Sequence, residues 1–86
     1  MSKLTKLKLD TRELEHPKPL ELAMKTLQEL DDSSYIYMIH RKMPIPLLDL
    51  VDESGFSQIC KEDKEGSWHI LICKNKEVNL DSLIDI

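Results

Sequence analysis

The sequence predicts a two-layer α/β sandwich, a four-stranded mixed sheet with two helices on one face. The hydrophobic pattern alternates between a period of two and a period near 3.6, which is typical of strands and helices in turn. Prolines and a glycine stand where these patterns change, at the expected ends of the elements. The chain has 86 residues, enough for only one small core. The predicted element order is β-α-β-α-β-β.

The first half of the chain reads as strand, helix and strand. Leu7 and Leu9 alternate with charged residues, as in a half-buried strand. Pro19 suits the first turn of a helix, because its missing N–H has no intrahelical partner there. Turn-forming residues at 31–34 end that helix, and the β-branched and aromatic run 35–39 predicts the second strand. The apolar face of the helix consists of Leu20, Ala23, Met24, Leu27 and Leu30.

The second half reads as a short helix followed by a β-hairpin. The helix starts at Pro46, and Gly55 lies where a helix end requires positive φ. The runs 56–60 and 68–73 predict two strands around a turn at 63–66.

The chain divides into a domain at residues 1–74 and an acidic C-terminal tail at 75–86, which docks as a turn or stays loose. A strand–helix–strand unit predicts parallel pairing of the first two strands. The helices are expected to pack on the face of Leu7, Leu9, Ile36 and Met38. The opposite face would then show Tyr35, Tyr37 and Ile39, either as a homodimer contact or partly covered by the tail.

Composition excludes several classes of function. The formal net charge is −4, which disfavours binding to nucleic acid. The apolar runs are too short for a membrane span, and the charged N-terminus has no apolar signal segment, so a cytoplasmic location is expected. Cys60 and Cys73 lack metal or redox spacing and read as reduced structural residues.

One short motif occurs twice. Residues 17–20 and 44–47 both have the pattern Pro-x-Pro-Leu, and each follows a strand and opens a helix. Because parallel neighbouring strands end at the same edge of a sheet, the two strand-to-helix corners are expected to lie side by side.

The run from Leu9 to Leu20 resembles the signature of the TusA/SirA sulfur-carrier family. In that signature a strand ends in Leu-Asp, a Gly-Leu pair follows, and Cys-Pro-x-Pro opens the first helix. The resemblance covers roughly residues 6–74 and implies a two-layer sandwich, with sulfur relay through a cysteine persulfide in the active members. The matching residues are Leu9, Asp10, Leu14, Pro17 and Pro19.

The chain departs from that signature at the residue that carries the chemistry. Glu13 stands in place of the glycine and His16 in place of the cysteine. A persulfide needs a thiol, and imidazole cannot replace it. The chain therefore resembles the cysteine-less, uncharacterised branch of the superfamily, recognised by Pro-x-Pro-Leu at both corners. Sulfurtransferase activity is not expected, and no enzyme motif appears elsewhere.

Basic residues cluster at the two corners of this acidic chain. The predicted function is a non-enzymatic binding module that recognises a protein partner or a small anion there, without a cofactor. Two alternatives remain: a sulfur-transfer or redox accessory protein using Cys60 or Cys73, and a metal site at the two corner histidines. The predicted binding residues are Arg12, His16, Lys18, His40 and Arg41, with Lys42 beside them.

Overall fold

The computed structural model describes residues 4–86. The start of the predicted domain, residues 1–3, lies outside the described residues. The described chain has the predicted element order, followed by a short 3₁₀ helix. The elements are β1 (Thr5–Asp10), α1 (Lys18–Glu29), β2 (Ser34–His40), α2 (Ile45–Glu53), β3 (Ser57–Glu62), β4 (Trp68–Cys73) and the 3₁₀ segment Leu80–Leu83.

The strands form one mixed sheet in the order β1-β2-β4-β3. β1 and β2 pair in parallel, with Leu7 opposite Ile36 and Leu9 opposite Met38. β4 pairs antiparallel with both β2 and β3. The predicted fold class and the parallel pairing of the first two strands are thereby confirmed. Because β1 and β2 run in the same direction, both strand-to-helix corners lie at one edge of the sheet.

Both helices begin one residue before the predicted proline. α1 starts at Lys18 and α2 at Ile45, so Pro19 and Pro46 are each the second helical residue. This shift is physically small, since the first four N–H groups of any helix have no intrahelical acceptor. Similarly, β3 starts at Ser57 rather than Phe56. Among residues 4–86, no helix is long and apolar enough to cross a membrane.

Gly55 ends α2 as the sequence predicts, with φ of +79°. The Gly55 N–H donates to the Asp52 carbonyl at 3.1 Å, and the Phe56 N–H donates to the Val51 carbonyl at 3.2 Å. These two bonds form a Schellman motif, which satisfies carbonyls that the helix end would otherwise leave free. Phe56 packs against the core immediately after the cap.

The main core lies between the sheet and the two helices. Side chains from the helix-facing side of the sheet meet those of α1 and α2, as the alternation in β1 and β2 predicts. Its buried members are Ala23, Leu30, Ile36, Met38, Leu47, Leu48, Val51, Ile70 and Ile72.

The second sheet face is covered by the C-terminal segment, which is one of the two alternatives that the sequence left open. Tyr35, Tyr37 and Ile39 are only 7%, 1% and 8% exposed. The C-terminal segment packs over them through Val78, Leu80, Leu83 and Ile84. Burial of this apolar area outweighs the cost of ordering the short segment. A homodimer through the three residues would require displacement of that segment.

Candidate functional site

The two strand-to-helix corners enclose a small pocket of about 100 Å³, called here the corner pocket. Both repeated motifs contribute to its wall, as does the end of β2. His16 and His40 both line it, so the predicted proximity of the two corners is confirmed. The lining residues are His16, Pro19, Leu20, Met38, His40, Pro44, Pro46 and Leu47.

The His40 ring is fixed on one side by Thr11, the first residue after β1. Its Nδ1 lies 3.0 Å from the Thr11 hydroxyl oxygen and 3.3 Å from the Thr11 carbonyl oxygen. Burial lowers the pKa of His40, and the positive charges of Arg41 and Lys42 lower it further, while a hydrogen bond to Thr11 opposes the shift. The ring is therefore held neutral more readily than a histidine in water.

At each corner, one backbone N–H group at the start of the helix has no hydrogen-bond acceptor in the described part of the chain. In α1 the Lys18 N–H donates to the Glu15 carbonyl at 3.0 Å, and Pro19 has no N–H. In α2 the Ile45 N–H donates to the Met43 carbonyl at 3.0 Å, and Pro46 again has none. The first free donor of each helix is therefore the leucine of the repeated motif. Neither Leu20 N–H nor Leu47 N–H has an acceptor among the described residues.

Arg12 does not contribute to the corner pocket. Its guanidinium donates to both carboxylate oxygens of Asp10, with Nε to Oδ1 at 2.9 Å and Nη2 to Oδ2 at 2.7 Å. This pairing lowers the pKa of Asp10 to about 2. Arg12 and Asp10 line a separate open depression with Glu13 and Leu14. The charge of Arg12 is thus largely offset by its neighbour.

Lys18 and Arg41 lie at the corners but outside the wall of the pocket. Lys18 is the exposed first residue of α1. Arg41 follows His40 and donates from Nη2 to the Leu14 carbonyl at 3.2 Å. This bond links the end of β2 to the loop that leads into the first corner. Both side chains add positive charge near the pocket without contacting its interior.

The two cysteines lie on strands β3 and β4, and neither is at the start of a helix. Cys60 is half-buried against the helix-facing core, and burial raises the pKa of its thiol. Cys73 is fully buried on the opposite sheet face. A raised pKa reduces the thiolate fraction, and the thiolate is the reactive form. The environment of neither cysteine favours nucleophilic chemistry.

The structure offers few metal ligands at the histidines. Within residues 4–86 no three His, Cys, Asp or Glu side chains lie close enough together to hold a metal ion. Two imidazoles alone fall short of the three or four protein ligands that zinc sites use.

Sequence reasoning missed a hydrogen-bond chain on the other sheet face. Tyr37 Oη lies 2.7 Å from His69 Nδ1, and His69 Nε2 lies 2.9 Å from Asp63 Oδ2. The Asp85 N–H donates to the same Tyr37 oxygen at 2.9 Å. The chain connects the hairpin turn to the C-terminal segment. The only sequence signal was His69 on a predicted strand, beside Trp68.

Fold and pocket together define a small two-layer α/β domain with a ligand-sized pocket between two helix N-termini. The chain belongs to the family described as uncharacterized conserved protein (DUF2249), which matches residues 8–74. This span contains both Pro-x-Pro-Leu corners, the whole of β2, β3 and β4, and the second half of β1. No curated protein and no solved structure matches the chain.

Proposed function

We propose that this protein is a non-enzymatic binding module whose corner pocket takes a small anion. One observation carries the proposal: the pocket unites the N-termini of both helices with His16 and His40. Helix N-termini bear a partial positive charge and free N–H groups, and both features attract anions. Leu20 and Leu47 supply one such N–H each.

The local electrostatics support an anion despite the net charge of −4. Arg41 and Lys42 lower the pKa of His40, so their positive field reaches the ring that lines the pocket. The carboxylate of Asp10 is engaged with Arg12, and both residues line a different depression. A cation in the pocket would face two helix N-termini and these side chains at once. For this reason the metal alternative is less well supported than the anion.

The size of the pocket limits the ligand. A volume of about 100 Å³ holds a group of a few non-hydrogen atoms, since one water occupies about 30 Å³ in the liquid. An inorganic oxoanion fits these limits, as does a single carboxylate presented by a partner protein. We also propose that the protein is related to the TusA/SirA group and that it is cytoplasmic.

A phosphate titration followed by two-dimensional ¹H–¹⁵N NMR tests the proposal. We expect saturable shifts of the Leu20 and Leu47 amide signals and of the His16 and His40 side chains. Arg41→Gln should weaken the affinity several-fold because it removes a nearby positive charge. Lys25→Gln is the matched control, since Lys25 is exposed on α1 and does not line the pocket. Equal weakening by both variants, or shifts that do not saturate, would contradict a specific pocket.

A further inference from the structure

We propose that Thr11 holds His40 in a single tautomer, so that the corner pocket selects small anions that carry a proton over those that carry none. Hydrogen phosphate and bicarbonate belong to the first group, and sulfate and nitrate to the second. The inference rests on the proposed anion-binding function and specifies its ligand class. Thr11 acts as a positioning residue, through His40.

Thr11 is a polar residue that is almost completely buried, with only 1% of its surface exposed. Its hydroxyl lies 3.0 Å from the Ile39 carbonyl and is placed to donate to it. A hydroxyl has a single proton. When the hydroxyl donates its hydrogen bond to the Ile39 carbonyl, the Thr11 oxygen can only accept a hydrogen bond from the imidazole.

The Thr11 carbonyl, which makes the longer of the two contacts, favours the same direction of the bond. His40 Nδ1 lies 3.3 Å from that carbonyl oxygen, as well as 3.0 Å from the hydroxyl oxygen. A carbonyl oxygen has no proton to donate, so an unprotonated Nδ1 would place two lone pairs against each other. A protonated Nδ1 satisfies both oxygens together. The arrangement therefore favours the tautomer in which Nδ1 carries the proton.

In that tautomer the second ring nitrogen, Nε2, is a hydrogen-bond acceptor. Among the described residues, the hydrogen bonds of the His40 ring all involve Nδ1, and the ring lines the corner pocket. The charged and titratable groups around the ring are His16 across the pocket, and Arg41 and Lys42 on the following turn. The pocket thus combines the Leu20 and Leu47 N–H donors with one imidazole acceptor.

A hydrogen-bond acceptor in an anion site distinguishes anions that carry a proton from anions that carry none. Hydrogen phosphate and bicarbonate can donate their proton to Nε2 while their other oxygens accept hydrogen bonds. Sulfate and nitrate have no proton at neutral pH, so an oxygen lone pair would face the Nε2 lone pair. Such a mismatch of partly buried polar groups costs enough to reduce affinity by about tenfold or more.

Acid should remove the discrimination. A protonated His40 presents N–H at Nε2 as well and becomes a donor to any anion. Burial and the charges of Arg41 and Lys42 lower the pKa of His40, so the change falls at a lower pH than for a histidine in water. We therefore expect sulfate to gain affinity relative to phosphate as the pH falls from 7.5 toward 5.

The test has two independent readouts. Affinities for phosphate, bicarbonate, sulfate and nitrate are measured by NMR titration at pH 7.5. The ¹⁵N shifts of the His40 ring in the free protein report the tautomer directly. We expect phosphate and bicarbonate to bind at least about tenfold more tightly than sulfate and nitrate, and Nδ1 to carry the proton.

Variants of Thr11 separate positioning from packing. Thr11→Val keeps the shape but loses the hydroxyl, and should shift the tautomer mixture and narrow the preference for phosphate over sulfate. Thr11→Ser retains the hydroxyl and should restore both properties. Thr26→Val is the matched control, because the Thr26 hydroxyl donates only to the Leu22 carbonyl within α1, at 2.8 Å.

The possible results separate this inference from the function beneath it. Equal affinities for phosphate and sulfate would overturn the selectivity and leave anion binding in place. A proton on Nε2 in the wild-type ring would overturn the role of Thr11 whatever the affinities. If no anion shifts the pocket signals, the proposed function fails and the selectivity with it.

Discussion

At the scale of single residues, two side chains of the predicted binding set meet in one pocket. His16 and His40 are far apart in sequence, yet both line the space between the corners. Arg12 was expected beside them and instead forms a bidentate pair with Asp10. Asp10 lies two positions before Arg12 and can therefore pair with it locally. The prediction of a basic cluster at the corners did not take this pairing into account.

Thr11 could not have been identified from the sequence. A threonine after a strand is ordinary, and nothing in its neighbours indicates that it will be buried against His40. The contact depends on the parallel register of β1 and β2, which brings the residue after β1 to the end of β2. The positions of His16 and His40 could be predicted because each lies at a corner that the repeated motif marks.

The first prediction concerns His40 and pH. Its pKa in the folded protein lies below the ordinary value of 6.5, chiefly because of burial. The unfolded chain therefore binds this proton at a higher pH than the folded chain does. It follows that the free energy of unfolding decreases as the pH falls below about 6.5, until the folded form is protonated too.

Urea denaturation at several pH values between 8 and 5 measures this dependence. His40→Gln removes the titrating group, so its stability should fall less steeply over that range than the wild-type stability. Asp10 and Asp63 do not confound the comparison, because their lowered pKa values place their effects at more acidic pH. Parallel curves for the two proteins would show that His40 is not the group responsible.

At the scale of elements, the sequence predicted types and order better than ends. Proline, glycine and hydrophobic period locate α1, α2 and the hairpin because each reflects a local backbone constraint. The ends differ by about one residue, since a helix start depends on which N–H groups find acceptors nearby.

The hairpin turn shows such a local constraint. Asp63 Oδ1 accepts hydrogen bonds from the Glu65 and Ser67 N–H groups at 2.9 and 3.0 Å.

The second prediction concerns the end of α2. Gly55→Ala places a Cβ in a backbone conformation with φ of +79°, which L-residues adopt at a cost of about 1 kcal/mol. No atom lies within 4 Å of the added Cβ, so the expected loss of stability comes from the backbone alone. Thermal unfolding monitored by circular dichroism measures it.

Ser54→Ala is the matched control for that substitution. Ser54 is the exposed neighbour and has an ordinary helical φ of −80°. Its replacement should change the stability little. If Gly55→Ala were equally neutral, the Schellman geometry at this helix end would be contradicted.

At the scale of the whole molecule, the C-terminal segment completes the fold. Leu80 is 5% exposed and packs with Tyr35, Tyr37 and Leu71. Ion pairs also attach the segment, Lys61 to Asp81 at 3.0 Å and Lys6 to Asp85 at 3.2 Å. These pairs are exposed, so they contribute little compared with apolar burial.

The sequence left the state of this segment undecided. Its apolar residues are scattered among acidic ones and have no helical or strand period. The sheet face that they cover is assembled from β2 and β4, which are distant in sequence. Only the assembled face gives these scattered residues a common surface to pack on.

The third prediction concerns this segment. Leu80→Ala should destabilise the fold by about 2 kcal/mol. This value is at the lower end of the losses found for buried leucines, because the segment is peripheral. It should also increase the binding of a hydrophobic dye, since Tyr35 and Ile39 become more accessible. Leu22→Ala is the control: Leu22 is 40% exposed on α1. Equal effects of the two substitutions would show that the segment does not cover the sheet.

The most direct test of anion binding between the corners is a crystal structure grown without phosphate or sulfate and then soaked in phosphate at neutral pH. We expect one phosphate in the corner pocket, within hydrogen-bond distance of the Leu20 and Leu47 N–H groups and of His40 Nε2. Phosphate bound only at exposed side chains such as Lys18, with the pocket unoccupied at saturating concentration, would contradict the proposed function.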